Sequence, residues 1–163
     1  MLFFRRQLKP EATPVPVSIK WDQPDTLAAR IDTLARTIWG EARGETLQGK
    51  EAVANVILNR VKHAQRRGKF WWGNTLEEVC LKPYQFSCWN KNDLNYSKII
   101  SVKEDDPQFS VCLRIARRAL NGVLADHTNG ADHYHADSIM PSWADSRVPT
   151  IIIGRHLFYR LEN

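Results

Sequence analysis

The stretch Ala35-Arg36-Thr37-Ile38-Trp39-Gly40-Glu41-Ala42-Arg43-Gly44-Glu45 ends an apolar helical pattern on a glutamate set between two glycines. Upstream, Leu27, Ile31, Leu34 and Ile38, joined by Ala35 and Trp39, recur at three- and four-residue steps, the period of a helix with one buried face. Each glycine weakens a helix interior by roughly 1 kcal/mol relative to alanine. Gly40 and Gly44 therefore mark either a helix stop or a place where another group comes close to the backbone. A second helical pattern starts at Gly49 with Ala52, Val53, Val56, Ile57 and Val61, and carries Asn59-Arg60 at its far end. Glu41 falls where two helices meet, beside aromatic and apolar residues of the kind that raise a carboxyl pKa and prepare it for general acid catalysis.

The same spacing admits plainer readings. A glutamate near a helix end is most often a solvated surface charge. Glu45 shares a helical face with Glu41 if the helix continues through Gly44. Two carboxyls on one face, roughly 5–9 Å apart, would suit a paired-carboxylate glycosidase. Spacing alone leaves all of these open.

The run Leu34–Glu45, followed by Gly49-Lys50-Glu51-Ala52-Val53-Ala54-Asn55-Val56-Ile57-Leu58-Asn59-Arg60-Val61, resembles the opening of the SleB-type cell wall hydrolases. These are the spore cortex-lytic enzymes and their relatives in other bacteria and phages. Two further segments fit the same family in the same order. One is Lys82-Pro83-Tyr84-Gln85-Phe86-Ser87-Cys88-Trp89-Asn90. The other runs from Thr128-Asn129-Gly130-Ala131 through His133-Tyr134-His135 and Pro141-Ser142-Trp143 to Ile153-Gly154-Arg155-His156-Leu157-Phe158-Tyr159. The likeness covers about residues 28–160, and three ordered motifs are far more specific than one.

The resemblance implies an α+β, mainly helical, lysozyme-like single domain with a small antiparallel sheet. It implies cleavage of the β-1,4 bond between N-acetylmuramic acid and N-acetylglucosamine in peptidoglycan, with Glu41 as the acid and no obligatory metal or other cofactor. The expected product is the 1,6-anhydro-muropeptide of a lytic transglycosylase, with a hydrolytic muramidase as the alternative. Thr128 matches a threonine that the family implicates in catalysis or substrate placement. Gln85, Ser87 and Asn90 lie in a segment that runs along the family's substrate cleft and are assigned to substrate binding; Glu45, read from its own position rather than from the resemblance, joins that set as a supporting charge. Asp132 stands where many relatives carry an uncharged residue.

Composition agrees with one compact domain. The 163 residues are 43% hydrophobic and 25% charged, ordinary for a globular chain that can bury one core. Lys and Arg number 23 against 18 Asp and Glu, a net charge of +5 that favours a polyanionic partner such as nucleic acid, an anionic membrane or an anionic wall. The densest basic cluster, Lys62-His63, Arg66-Arg67 and Lys69, reads as a solvated helix end rather than a nucleic-acid patch. Peptidoglycan strands are the expected partner of a monomer, with neither nucleic acid nor stable membrane insertion. Cys80, Cys88 and Cys112 are odd in number and lack a Cys-x-x-Cys pair, so free buried thiols are expected.

Residues 1–26 read as an extended arm or linker and 27–163 as the catalytic domain. Met1-Leu2-Phe3-Phe4-Arg5-Arg6 puts its apolar residues before its charges, the reverse of a secretory signal. The expectation is synthesis in the cytoplasm and action on the wall, in the periplasm or after release by lysis, as for a phage-type endolysin.

The remaining motifs order the chain. Thr75-Leu76-Glu77-Glu78 has the capping-box pattern of a short helix reaching Cys80. Asp106-Pro107 opens another helix, with Val111, Ile115, Ala119 and Val123 on its buried face, joined by Cys112, Ala116 and Leu120. Thr150–Ile153 and Leu157–Tyr159 read as strands about a turn at Gly154, and His156 between them as structural. Trp71 and Trp72 cannot both face inward on one short element. One is a sugar platform or a hinge plugging the core, and Trp72 is assigned to the substrate-binding set. Phe86, alone between polar neighbours, reads as a core anchor. His127, His133 and His135 lie among Asp126, Asp132 and Asp137, which invites zinc. No helical His-Glu-x-x-His motif accompanies them, and His133 and His135 are assigned to the wall of the sugar cleft. Two other classes of function stay open: a non-catalytic peptidoglycan-binding module, and a His-based metallohydrolase of wall peptides.

Overall fold

The computed structural model describes residues 26–162, so the expected N-terminal arm, apart from Thr26, lies outside the described residues. Thr26 caps the first helix, α1 (Leu27–Ala42), by accepting a hydrogen bond from the Ala29 amide. The helix passes through Gly40 and ends after Glu41, at Ala42. Thr46 caps α2 (Leu47–Arg67), two residues earlier than the apolar pattern suggests, because the hydroxyl engages the Gly49 amide. This helix runs well past Asn59-Arg60, to Gly68 in the left-handed conformation. The capping box at Thr75 forms as its spacing predicts and starts α3 (Leu76–Leu81). A 3-10 turn (Ser87–Trp89) and a short α4 (Tyr96–Ser101) follow, and Asp106 then caps α5 (Pro107–Leu120).

Helix α5 corrects the expected face. Phe109 and Leu113 are buried, whereas Val123 lies beyond the helix and is 65% exposed. The main core sits between α1, α2 and α5, with Leu34, Ile38, Val53, Ile57, Phe109, Ile115 and Ala116 closely packed. The three cysteines are free and buried, as their number predicts.

The sheet holds three antiparallel strands in the order β1 (His133–Ala136), β3 (His156–Tyr159), β2 (Ile151–Ile153). Strand β1 comes from the polar stretch after Val123, where β-branched runs give no warning of it. A second core of Ala52, Val56, Ala131, Ile153 and Phe158 joins the sheet to α2, and Tyr134 packs against both cores. The mainly helical α+β architecture stands as its motifs predict. Among the described residues no helix is long and apolar enough to cross a membrane.

Candidate active site

Gly40 is needed for close approach, not for stopping a helix. A Cβ there would lie 2.7 Å from both Cβ and Sγ of Cys88 and 3.0 Å from Ile99 Cγ2. The bare backbone lets the 3-10 turn press against the last turn of α1, and this contact fixes where Glu41 emerges. The Glu41 carboxylate then meets two groups from distant segments. Tyr134 on β1 donates its hydroxyl to Oε2 at 2.7 Å, and the Cys88 amide stands 3.5 Å from Oε1. Burial, and then the adjacent Glu41 carboxylate, raise the Tyr134 phenol well above its ordinary pKa, so it stays protonated and remains a donor. Burial and Glu41 likewise push the Cys88 thiol up, which makes it an inert packing group.

Glu41 opens on a cleft of about 420 Å³ whose walls include Tyr84, Gln85, Tyr134, Trp143 and His156. Arg60 lies in its floor. Its Nε donates to the Asp132 carbonyl at 2.7 Å and its Nη1 to Gln85 Oε1 at 3.2 Å. The guanidinium carbon sits 5.2 Å from the Trp72 ring centroid and 5.4 Å from that of Phe86. Burial lowers the Arg60 pKa, while the Asp132 and Glu41 carboxylates oppose the shift, so this cation is held by anionic and π-rich neighbours. Helical period alone marks Arg60 as the polar end of α2; only the strand beside it turns that position into the floor of a cleft.

Of the sequence-predicted site residues, Glu41, Gln85, Ser87 and His135 share this cleft. The others do not. Trp72 is fully buried, its indole N–H donates to the Arg60 carbonyl at 3.1 Å, and it offers no face to a sugar. The exposed member of the pair is Trp71, at 50%. Thr128 is also fully buried. Its hydroxyl donates to Asp126 Oδ1 at 2.6 Å and accepts from the Ala131 amide at 3.2 Å, so its hydrogen-bonding capacity is used within a turn away from the cleft. Its catalytic assignment gives way to a structural one.

Glu45 does not pair with Glu41, because the chain leaves the helix at Ala42. Its carboxylate accepts from the Arg155 amide at 3.2 Å, and it packs so tightly on Gly154 that a Cβ there would lie 2.1 Å from Oε2. Glu45 thus pins the β2–β3 turn. Asn90 faces an adjoining depression that shares Tyr84, and its Oδ1 accepts from the Tyr84 amide, steadying a residue held at a φ of 65°. His133 turns to Asp132, 2.8 Å away, rather than to the cleft.

The zinc pattern disperses in three dimensions. His127 faces Glu51 at 3.1 Å, His133 faces Asp132, and His135 uses Nδ1 on the Ala136 carbonyl and Nε2 on the Tyr159 hydroxyl. Among the described residues no group of three potential ligands converges. The Asp132 carboxylate is fully engaged. Burial alone would raise its pKa, but the His133 ring and the amides of Leu161 and Glu162 outweigh it and hold it below the usual carboxylate range. His156, expected to be structural, instead lines the cleft with Nδ1 unpartnered, and burial lowers its pKa. Sequence reasoning missed Tyr134, Arg60 and Trp143 as site residues. All three stand inside the quoted family motifs, which was the available signal.

Residues 44–159 match the family model described as Cell Wall Hydrolase. The chain belongs to that family. The matched region begins three residues after Glu41, so the family assignment rests on the remainder of the fold. Spore cortex-lytic enzymes of Bacillus cereus and Halalkalibacterium halodurans are each 30% identical over 129 residues, 78% of this chain. The chain spans 43% and 34% of those two relatives. The catalytic domain of the Bacillus cereus SleB protein superposes with a TM-score of 0.61 at 28% identity, covering 79% of this chain and 88% of that one. The catalytic domain of the germination-specific lytic transglycosylase SleB from Bacillus anthracis gives 0.60 at 29%, covering 79% and 92%. The chain shares their catalytic-domain fold.

Proposed function

We propose that this chain cleaves peptidoglycan between N-acetylmuramic acid and N-acetylglucosamine as a lytic transglycosylase, with Glu41 as both acid and base. One observation carries the reading. Among the described residues lining the cleft, Glu41 is the one carboxylate, whereas direct glycoside hydrolysis ordinarily takes two flanking the scissile bond. Tyr134 donates to Oε2, and Oε1, 3.5 Å from the Cys88 amide, is the oxygen to carry the transferable proton. Glu41 protonates the glycosidic oxygen as the C1–O bond breaks and oxocarbenium character builds. The carboxylate then takes the proton of the muramic C6 hydroxyl while that oxygen bonds to C1. The ring closes as a 1,6-anhydro sugar, and Glu41 ends protonated as it began.

The relatives' names, spore cortex-lytic enzyme and lytic transglycosylase, support the same substrate class. Mass spectrometry of muropeptides released from purified sacculi is the test. Each new muramic end is expected to be lighter than a hydrolytic product by one water, and products carrying that water instead would make the chain a muramidase. The same digest after dialysis against a strong chelator should release the same products. Activity lost and restored by zinc would instead favour the metallohydrolase reading.

Gln85 is the cleft's amide donor and acceptor for hydroxyl and acetamido groups. Gln85→Ala is expected to lower kcat/KM on glycan strands about tenfold, the worth of one hydrogen bond of about 1–1.5 kcal/mol, with the melting temperature nearly unchanged. Early melting with full specific activity would show that Gln85 serves the fold through Arg60 rather than the substrate.

A further inference from the structure

The basic cluster on the last turns of α2 is not explained by the catalytic cleft. In three dimensions it gains a partner from the far end of the chain. Lys62, Arg66 and Arg160 face a cavity of about 580 Å³, larger than the cleft, whose walls also hold Asn59, Asp132 and Glu162. Among the described residues none of the three cations has a carboxylate within 4.0 Å. The Asp132 carboxylate keeps its charge, but its oxygens already accept from two backbone amides and face the His133 ring, so they are turned away from the three cations. Asp132 and Glu162 are the two negative wall residues, against three positive ones. Such a concavity concentrates anions.

We infer that this cavity binds the carboxylates of the peptide stem attached to the muramic acid being processed. The inference rests on the proposed function and adds to it a second point of substrate recognition. The fold joins the two sites directly, because Arg60 in the cleft floor donates to the carbonyl of Asp132 in the cavity wall. From Arg60 to Arg66 the helix advances about 9 Å at 1.5 Å per residue. From Ala136 to Asp132 the chain along β1 covers about 13 Å at roughly 3.3 Å per residue. An extended stem of four residues reaches about 13–14 Å, so its carboxylates arrive at the cations while the sugar lies beside Glu41. A polyphosphate chain would satisfy the charge but would not be delivered in register with each muramic residue.

The test uses Lys62→Gln, Arg66→Gln and Arg160→Gln together, at exposed positions where the side-chain stems are kept. KM is measured on soluble peptide-bearing strands and on the same strands stripped of peptide by an amidase. The expected result is a rise of about fivefold or more on peptide-bearing strands, with a flatter dependence on salt, and no change on stripped ones. An equal effect on both substrates, or on neither, overturns the inference. If the unsubstituted protein cleaves neither substrate, the glycan-cleaving reading itself fails. A readout independent of turnover uses Glu41→Gln protein and free tetrapeptide stem. Its amide resonances at Asn59, Arg66 and Gly130 should shift, and stronger shifts of the same amides by a single-stranded oligonucleotide would assign the cavity to nucleic acid instead.

Discussion

Glu41→Gln should lower wall lysis by at least ~10²-fold while the protein stays folded. The amide keeps the shape of the side chain and can still accept from Tyr134, but it has no proton to give to the leaving oxygen, and general acid–base catalysis typically contributes 10²–10⁴-fold. The loss should appear in kcat more than in KM, because the proton moves in the transition state. Turbidity of a sacculus suspension gives the rate, and far-ultraviolet circular dichroism confirms the fold. Retention of more than about a tenth of the activity would reject the acid role and leave a binding module as the better reading. Glu45→Gln should cost much less activity, since its carboxylate holds the Arg155 amide and the β2–β3 turn rather than facing the cleft.

Trp72→Ala should be the most destabilising of the single changes, at about 3–5 kcal/mol. The indole is fully enclosed, hydrogen-bonded to the Arg60 carbonyl, and in ring contact with Phe70, His63 and His133. Its removal leaves a cavity and takes away one of the two rings flanking the Arg60 guanidinium. For a domain of this size each kcal/mol is worth roughly 2–4 °C, so the melting temperature should fall by about 10 °C. Activity per folded molecule should fall as well, because Arg60 orients Gln85 in the cleft. Trp71→Ala, half exposed beside it, should leave the melting temperature within a degree or two. If the two variants melt alike, Trp72 does not plug the core as its burial indicates.

The helices were legible because their signals are local. Thr75 with Glu78, and Asp106 with Pro107, satisfy the first amides of a helix from residues a few positions away, and the structure uses both pairs in that way. The terminal hairpin was legible for a similar reason, with β-branched and aromatic runs either side of Gly154. Strand β1 was not, since His133–Ala136 gains its identity by pairing with β3 and has little strand preference of its own. The two tryptophans show the limit most clearly. Adjacent residues of one type, Trp71 and Trp72, take opposite environments, and only the packing of α2 against the following loop selects which is enclosed.

By itself the sequence determined the family, the helical framework, the three buried thiols and the carboxylate at the end of α1, because periodicity, capping residues and ordered motifs are written along the chain. Tertiary structure alone decided which groups meet that carboxylate. Tyr134 lies 93 positions from Glu41, and its hydroxyl arrives only when β1 docks beside α1 and the 3-10 turn closes on Gly40. The same docking sent Glu45 to a turn, Thr128 into a buried loop and the three histidines to separate partners. Chemical type is set by each residue; which oxygen a hydroxyl finds depends on long-range packing, to which spacing along the chain carries no direct signal.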